Sequence, residues 1–173
     1  MPANVRLPWR SPALGVAMHP RFASLLDQAH DKLEALLAMP PVTYATLPKV
    51  MPAAGIYLLS EGSNHLYAGR SNRIRKRLAG HCRPGATHRT AAFAFILARK
   101  GTKNLQASYK AGAGSREGLM QNPNFREAFS KAKDEIRSMD IRFVEEIDPT
   151  KQALLEIYVA VSLQTPHNDF DTH

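Results

Sequence analysis

The sequence predicts a single α/β domain in which three short strands are accompanied by helices. Three observations carry this. Ile56 to Leu59 and Leu66 to Ala68 are apolar strand-like runs on either side of the turn cluster Glu61-Gly62-Ser63-Asn64. Ile141 to Ile147 alternates as a third strand, and apolar residues recur at helical spacing in several other segments. A chain of 173 residues with 44% hydrophobic content is enough for one core and its appendages.

In chain order, residues 1–18 hold three prolines and no periodicity, so an irregular arm is expected. Phe22, Leu25, Leu26, Ala29, Leu33, Leu36 and Leu37 then mark a helix from Pro20 to about Ala38, stopped by Pro40-Pro41. The arm and this helix, residues 1–50, are expected to pack on the core formed by 51–173. Residues 42–54 are a Pro-punctuated connector into the first strand. Ser71 or Asn72 can cap the next helix, which should start at about Asn72.

In that helix Ile74 and Leu78 face the core, while Arg75 and Lys76 point away from it. Arg77 and His81 fall beside or within the apolar stripe. A guanidinium there either snorkels to water or answers an anion or acceptor. Arg83-Pro84-Gly85 ends the helix, and Ala91 to Arg99 reads as a short apolar helix. His81, Cys82 and His88 lack the fourth ligand and the spacing of a zinc site.

Residues 101–140 are expected to be partly helical. Ala111-Gly112-Ala113-Gly114-Ser115 lacks the Gly-Lys-Ser/Thr end of a phosphate loop and reads as a flexible loop. Phe125, Ala128, Phe129, Ala132 and Ile136 give an amphipathic helix with Arg126, Lys131 and Lys133 on its other face. It either covers the core or extends a contact with nucleic acid. In the third strand Ile141 and Phe143 should face one way. Asp148 caps and Pro149 opens a last helix that is apolar nearly all round from Ala153 to Leu163, and hence is expected at the centre of the core. Glu156 lies inside it with no basic residue at i±3 or i±4, so a metal, a distant arginine or a hydrogen-bond network should answer its charge.

A formal charge of +8 and a pI near 9.9 favour a polyanionic partner. Arg70, Arg73, Arg75 and Lys76 are the candidate nucleic-acid contacts. Cys82 is the only cysteine, which excludes an internal disulfide and a C-x-x-C motif. Met1 to Trp9 has no apolar h-region and no run approaches a membrane span, so a cytoplasmic protein without a membrane partner is expected.

Gly55-Ile56-Tyr57, then Tyr67-Ala68-Gly69, then Arg77 and His81 on the following helix, with Glu156 in a later helix and Asn168 after it, together resemble the GIY-YIG nuclease family. Ala68 stands where the family pattern has isoleucine. The close match covers Gly55 to His81 and Arg142 to Asn168, and the resemblance implies that residues 101–140, longer than a minimal member of the family would need, are an insertion. The resemblance implies that the strands form a small, mainly antiparallel sheet flanked by helices. It implies hydrolysis of phosphodiester bonds, in DNA and by preference double-stranded DNA. Glu156 would hold one Mg²⁺ or Mn²⁺, Arg77 would stabilise charge on the phosphate, and Tyr57 would be the general base. Tyr67 would position water or phosphate, Asn168 would fix the end of the pocket, and His81 is the competing base because its ordinary pKa suits neutral pH.

Two other functions stay open: a nucleic-acid-binding module that keeps the scaffold without cutting, and a nuclease acting on RNA. The nuclease reading also makes a geometric demand. Tyr57 and Tyr67 must share one face of the hairpin, which in a regular ladder means that they pair with each other. A simple four-residue loop would instead pair Ser60 with His65, set Tyr57 opposite Ala68 and turn Tyr67 to the other face.

Overall fold

A computed structural model describes residues 18–104, 112–168 and 170. Most of the N-terminal arm, the Ala111 end of the loop at 111–115 and part of the C-terminal tail lie outside the described residues. The elements run α1 (Pro20–Ala38), a 3₁₀ turn (Tyr44–Thr46), β1 (Gly55–Glu61), β2 (Asn64–Ser71), α2 (Ile74–Cys82), α3 (Ala92–Gly101), α4 (Arg116–Gln121), α5 (Pro123–Ser138), β3 (Asp140–Glu145) and α6 (Pro149–Ser162). The three strands form one antiparallel sheet in the order β2-β1-β3, with helices on both faces.

β1 is central, and its alternation divides the core. Tyr57 and Leu59 face α2, α3 and α5, where Ile74, Leu78, Phe93, Phe125 and Ile136 close around them. Ile56 and Leu58 face α1 and α6 and pack with Leu33, Leu36, Leu155 and Val159. Apolar residues on both faces of β1 leave it buried from Gly55 to Ser60, as a central strand between two helical layers must be. The connector after α1 is tied to the sheet where Val42 and Ile141 exchange main-chain hydrogen bonds of 3.0 and 2.7 Å.

Four expectations need correction. α2 starts at Ile74, two residues late, because Ser71 Oγ accepts the Arg73 N–H at 2.9 Å outside the helix and the Asn72 side chain is engaged by Gln152. α6 is a covering helix: Ile157 and Val161 are 47% and 66% exposed, although Asp148 caps it through the Thr150 and Lys151 N–H groups as expected. In α5 Lys133 does not lie on the outer face with Arg126 and Lys131: it is buried and donates to the Pro84 and Ala86 carbonyls. A residue adjacent to the Ala132 stripe falls under the neighbouring loop. The fourth correction is the hairpin register.

Glu61 pairs with Asn64 across the two-residue connection Gly62-Ser63, and Ser60 pairs with His65. The next pair is Leu59 with Tyr67, so Leu66 has no partner and forms a β-bulge. Beyond it the ladder runs Leu58–Ala68 and Tyr57–Gly69. The expected pairing of Tyr57 with Tyr67 does not occur. The one-residue shift still brings both tyrosines to the same face, as diagonal neighbours, which the unbulged loop would have prevented. Among the described residues no helix is long and apolar enough to cross a membrane.

Candidate active site

Tyr57 comes from the middle of β1, and its ring lies over Gly69 on β2. A Cβ at position 69 would overlap the ring, so the close approach requires glycine there. Tyr67, two residues earlier in β2, stands 6.3 Å from Tyr57 between ring centroids and stacks on Phe93 of α3 at 4.6 Å and 13°. α2 then delivers Arg77 and His81 to the same place, one turn apart. The His81 ring is 5.8 Å from Tyr57 and 6.1 Å from Tyr67.

The hydrogen bonds form a line. Arg77 Nε donates to the Tyr57 hydroxyl at 3.3 Å, and Arg77 Nη1 donates to the Thr90 carbonyl at 3.1 Å. Tyr57 Oη and His81 Nε2 are 2.8 Å apart. Arginine can only donate, so the phenol oxygen accepts from Arg77 and its own hydrogen is best donated to His81 Nε2. That assignment leaves the imidazole hydrogen on Nδ1, which is buried without a hydrogen-bond partner among the described residues.

Tyr57 and His81 are both fully buried. Burial pushes the Tyr57 hydroxyl well above the ordinary phenol range, and the opposing pull of Arg77 is too weak to restore it. Tyr67 shifts up for the same reason. His81 is pushed down to about 3, first by burial and then by the Arg77 charge, so its imidazole is neutral at pH 7.

A stability prediction follows from this shift. The unfolded chain gains a proton at His81 below about pH 6.5, whereas the folded chain gains none until about pH 3. Stability is therefore intact above the upper value and falls as pH drops through this window, by an amount on the order of several kcal/mol. Thermal melts between pH 7.5 and 4.5 should show the fall. His81→Gln should lose much of this slope, and equal slopes in the two proteins would refute the assignment.

Glu156 lies on α6, which packs on the Ile56 and Leu58 face of the sheet, and only its charge is felt at Tyr57, Tyr67 and Arg77. Its Oε2 accepts from Arg70 Nε at 2.9 Å, so a distant arginine is one answer to its charge. Burial still holds the carboxyl above its ordinary pKa, with Arg70 and then Arg77 pulling it down. A carboxylate not fully compensated by its arginine favours a further cation. This donor suits a hard ion that keeps most of its waters. Among the described residues no group of three or more His, Cys, Asp and Glu side chains forms an all-protein metal cage.

Asn168 is placed elsewhere. Its amide accepts from the Ala68 N–H at 2.8 Å and donates to the Ala68 carbonyl at 2.7 Å, and Thr165 Oγ1 donates to it at 2.8 Å. It satisfies the outer edge of β2 and fixes the chain after α6 against the strand that carries Tyr67. That makes it a positioning residue.

The four basic candidates also separate. Arg70 is paired with Glu156, and Arg75 donates to the Pro48 and Lys49 carbonyls. Arg73 and Lys76 are exposed, and no hydrogen bond or ion pair of their side chains occurs among the described residues. Phe93 and Thr90 join the group although neither was a candidate from the sequence. Phe93 read only as part of an apolar helix, and the Thr90 contribution is a carbonyl, which has no side-chain signal. No family model, curated protein or solved structure matches the chain.

Proposed function

We propose that the chain is a metal-dependent nuclease hydrolysing phosphodiester bonds in DNA, with its site built as the GIY-YIG resemblance implies. The observation that carries this reading is the line Arg77–Tyr57–His81. It joins a fixed charge for a phosphate, a hydroxyl and a neutral imidazole in one chain of hydrogen bonds.

Arg77 binds the phosphate and stabilises the charge that grows on its oxygens. In the resting structure the guanidinium is one of the groups that cover the Tyr57 hydroxyl, so a phosphate that draws it outward uncovers the phenol. Tyr57 Oη takes a proton from the attacking water while its own hydrogen passes to His81 Nε2. The water oxygen bonds to phosphorus, and the P–O bond to the leaving oxygen breaks. The two tyrosine and histidine roles, alternatives in the sequence, become successive. A buried imidazole with no access to water cannot be the first acceptor, and a phenol with a raised pKa needs a second one. Burial is the larger cause that depresses His81, and an anion on Arg77 offsets only the smaller one, the Arg77 charge. Glu156 would hold Mg²⁺ or Mn²⁺, whose chemistry is to polarise the phosphate and stabilise the leaving oxygen.

The non-cleaving reading has one observation in its favour, the complete burial of Tyr57 and His81. Purified protein should be incubated with duplex, single-stranded and branched DNA and with RNA, in EDTA, Mg²⁺ or Mn²⁺. Cleavage of DNA only with a divalent ion is the expected result. No cleavage of any substrate would leave the binding module standing.

A further inference from the structure

An open groove of about 1590 Å³ is lined by the 44–53 connector, α2 and the 83–90 loop, with Arg77 and Thr90 among its lining residues. Its lining contains Lys49, Arg73, Arg75, Lys76, Arg77 and Arg83 and no acidic residue. We propose that this groove binds an unpaired nucleic-acid strand and leads it to Arg77; the destination rests on the nuclease reading, the occupant on the groove itself.

Size and charge make the first half of the argument. The volume exceeds the roughly 300 to 1,000 Å³ of ordinary small-molecule pockets. Lys49, Arg73, Lys76 and Arg83 are exposed, and their side chains make no hydrogen bond or ion pair among the described residues, so they can meet phosphates without breaking a structural contact. Arg75 does a different job. Its bonds to the Pro48 and Lys49 carbonyls, with the 2.8 Å bond from the Ile74 N–H to the Ala53 carbonyl, fasten the connector to α2 and make the groove wall a fixed part of the fold.

The apolar lining selects the form of the strand. The lining also contains Tyr44, Leu47, Met51 and Pro52, all half-buried and the first three packed against the core, and Val50, which is 90% exposed. A duplex keeps its bases stacked inside and presents phosphates, which leaves such a surface without a partner. An unpaired strand offers phosphates and base faces together, and this surface suits both.

The test is fluorescence anisotropy on the full chain in EDTA, with a short labelled DNA strand, the same sequence as RNA and the corresponding DNA duplex. The single strand should bind more tightly than the duplex by roughly tenfold or more, and the two strand arms show which sugar is preferred. Val50→Ser removes exposed apolar surface without adding charge and should weaken the strand but not the duplex. Lys49→Glu with Arg83→Glu should weaken the strand by roughly tenfold and flatten its salt dependence. Equal binding of strand and duplex, or a strand affinity untouched by both variants, overturns the proposal. Binding in the groove without cleavage in Mg²⁺ would refute the nuclease reading alone. Cleavage with no single-strand preference would refute the groove assignment alone.

Discussion

Glu156→Gln is expected to abolish cleavage in both Mg²⁺ and Mn²⁺ while the fold and nucleic-acid binding persist. The substitution keeps the shape of the side chain and removes the charge that a hard cation needs. Stability should barely move. The ion pair it breaks joins an arginine side chain that is 47% exposed to a carboxylate that is 20% exposed, and such pairs contribute about 1 kcal/mol or less. The carboxylate is also partly desolvated, which offsets some of that contribution. Melting by circular dichroism, anisotropy in EDTA and cleavage at several Mg²⁺ concentrations are the measurements. A mutant stimulated by Mg²⁺ as the parent is would show that the ion is held elsewhere.

Tyr57→Phe is expected to lower the rate by roughly 10² to 10⁴, with more loss of stability than a surface tyrosine would give. The ring still packs over Gly69, but His81 Nε2 loses its 2.8 Å partner and both nitrogens of a fully buried imidazole are then left without one. An unsatisfied buried polar group costs about 1 to 3 kcal/mol. The pH–rate profile of the parent supplies the second test. With His81 pushed down to about 3, activity should have no acidic limb near 6.5, the value a free histidine would give. Such a limb, together with substantial activity in Tyr57→Phe, would make a solvent-accessible His81 the base and end the successive-transfer scheme.

Much of the architecture was legible because local pattern and burial agree. The apolar spacing from Phe22 to Leu37, the Pro40-Pro41 stop, the Asp148-Pro149 start and the alternation of Ile141 and Phe143 each reappear in α1, α6 and β3. α6 departs from that agreement. A helix apolar nearly all round suggested a central position, but only Gln152, Leu155, Val159 and Ala160 are buried in it. Arg70, expected as a nucleic-acid contact, is set against Glu156 because β2 lies beside α6.

What the sequence determined by itself was the set of elements and the polar residues each one carries: tyrosines on two strands of a hairpin, an arginine and a histidine one turn apart on the next helix, and a carboxylate without a local partner. Those follow from spacings of a few residues. Only the tertiary structure decided how they meet. The bulge at Leu66 turns Tyr67 to the face of Tyr57, the Gly69 gap admits the ring, and burial from three helices fixes His81 as a neutral group behind the phenol. A one-residue register shift reverses which face of a strand each side chain occupies, and the protonation of a buried group depends on what covers it. Both depend on contacts between residues far apart in the chain, so no local pattern of residues encodes them.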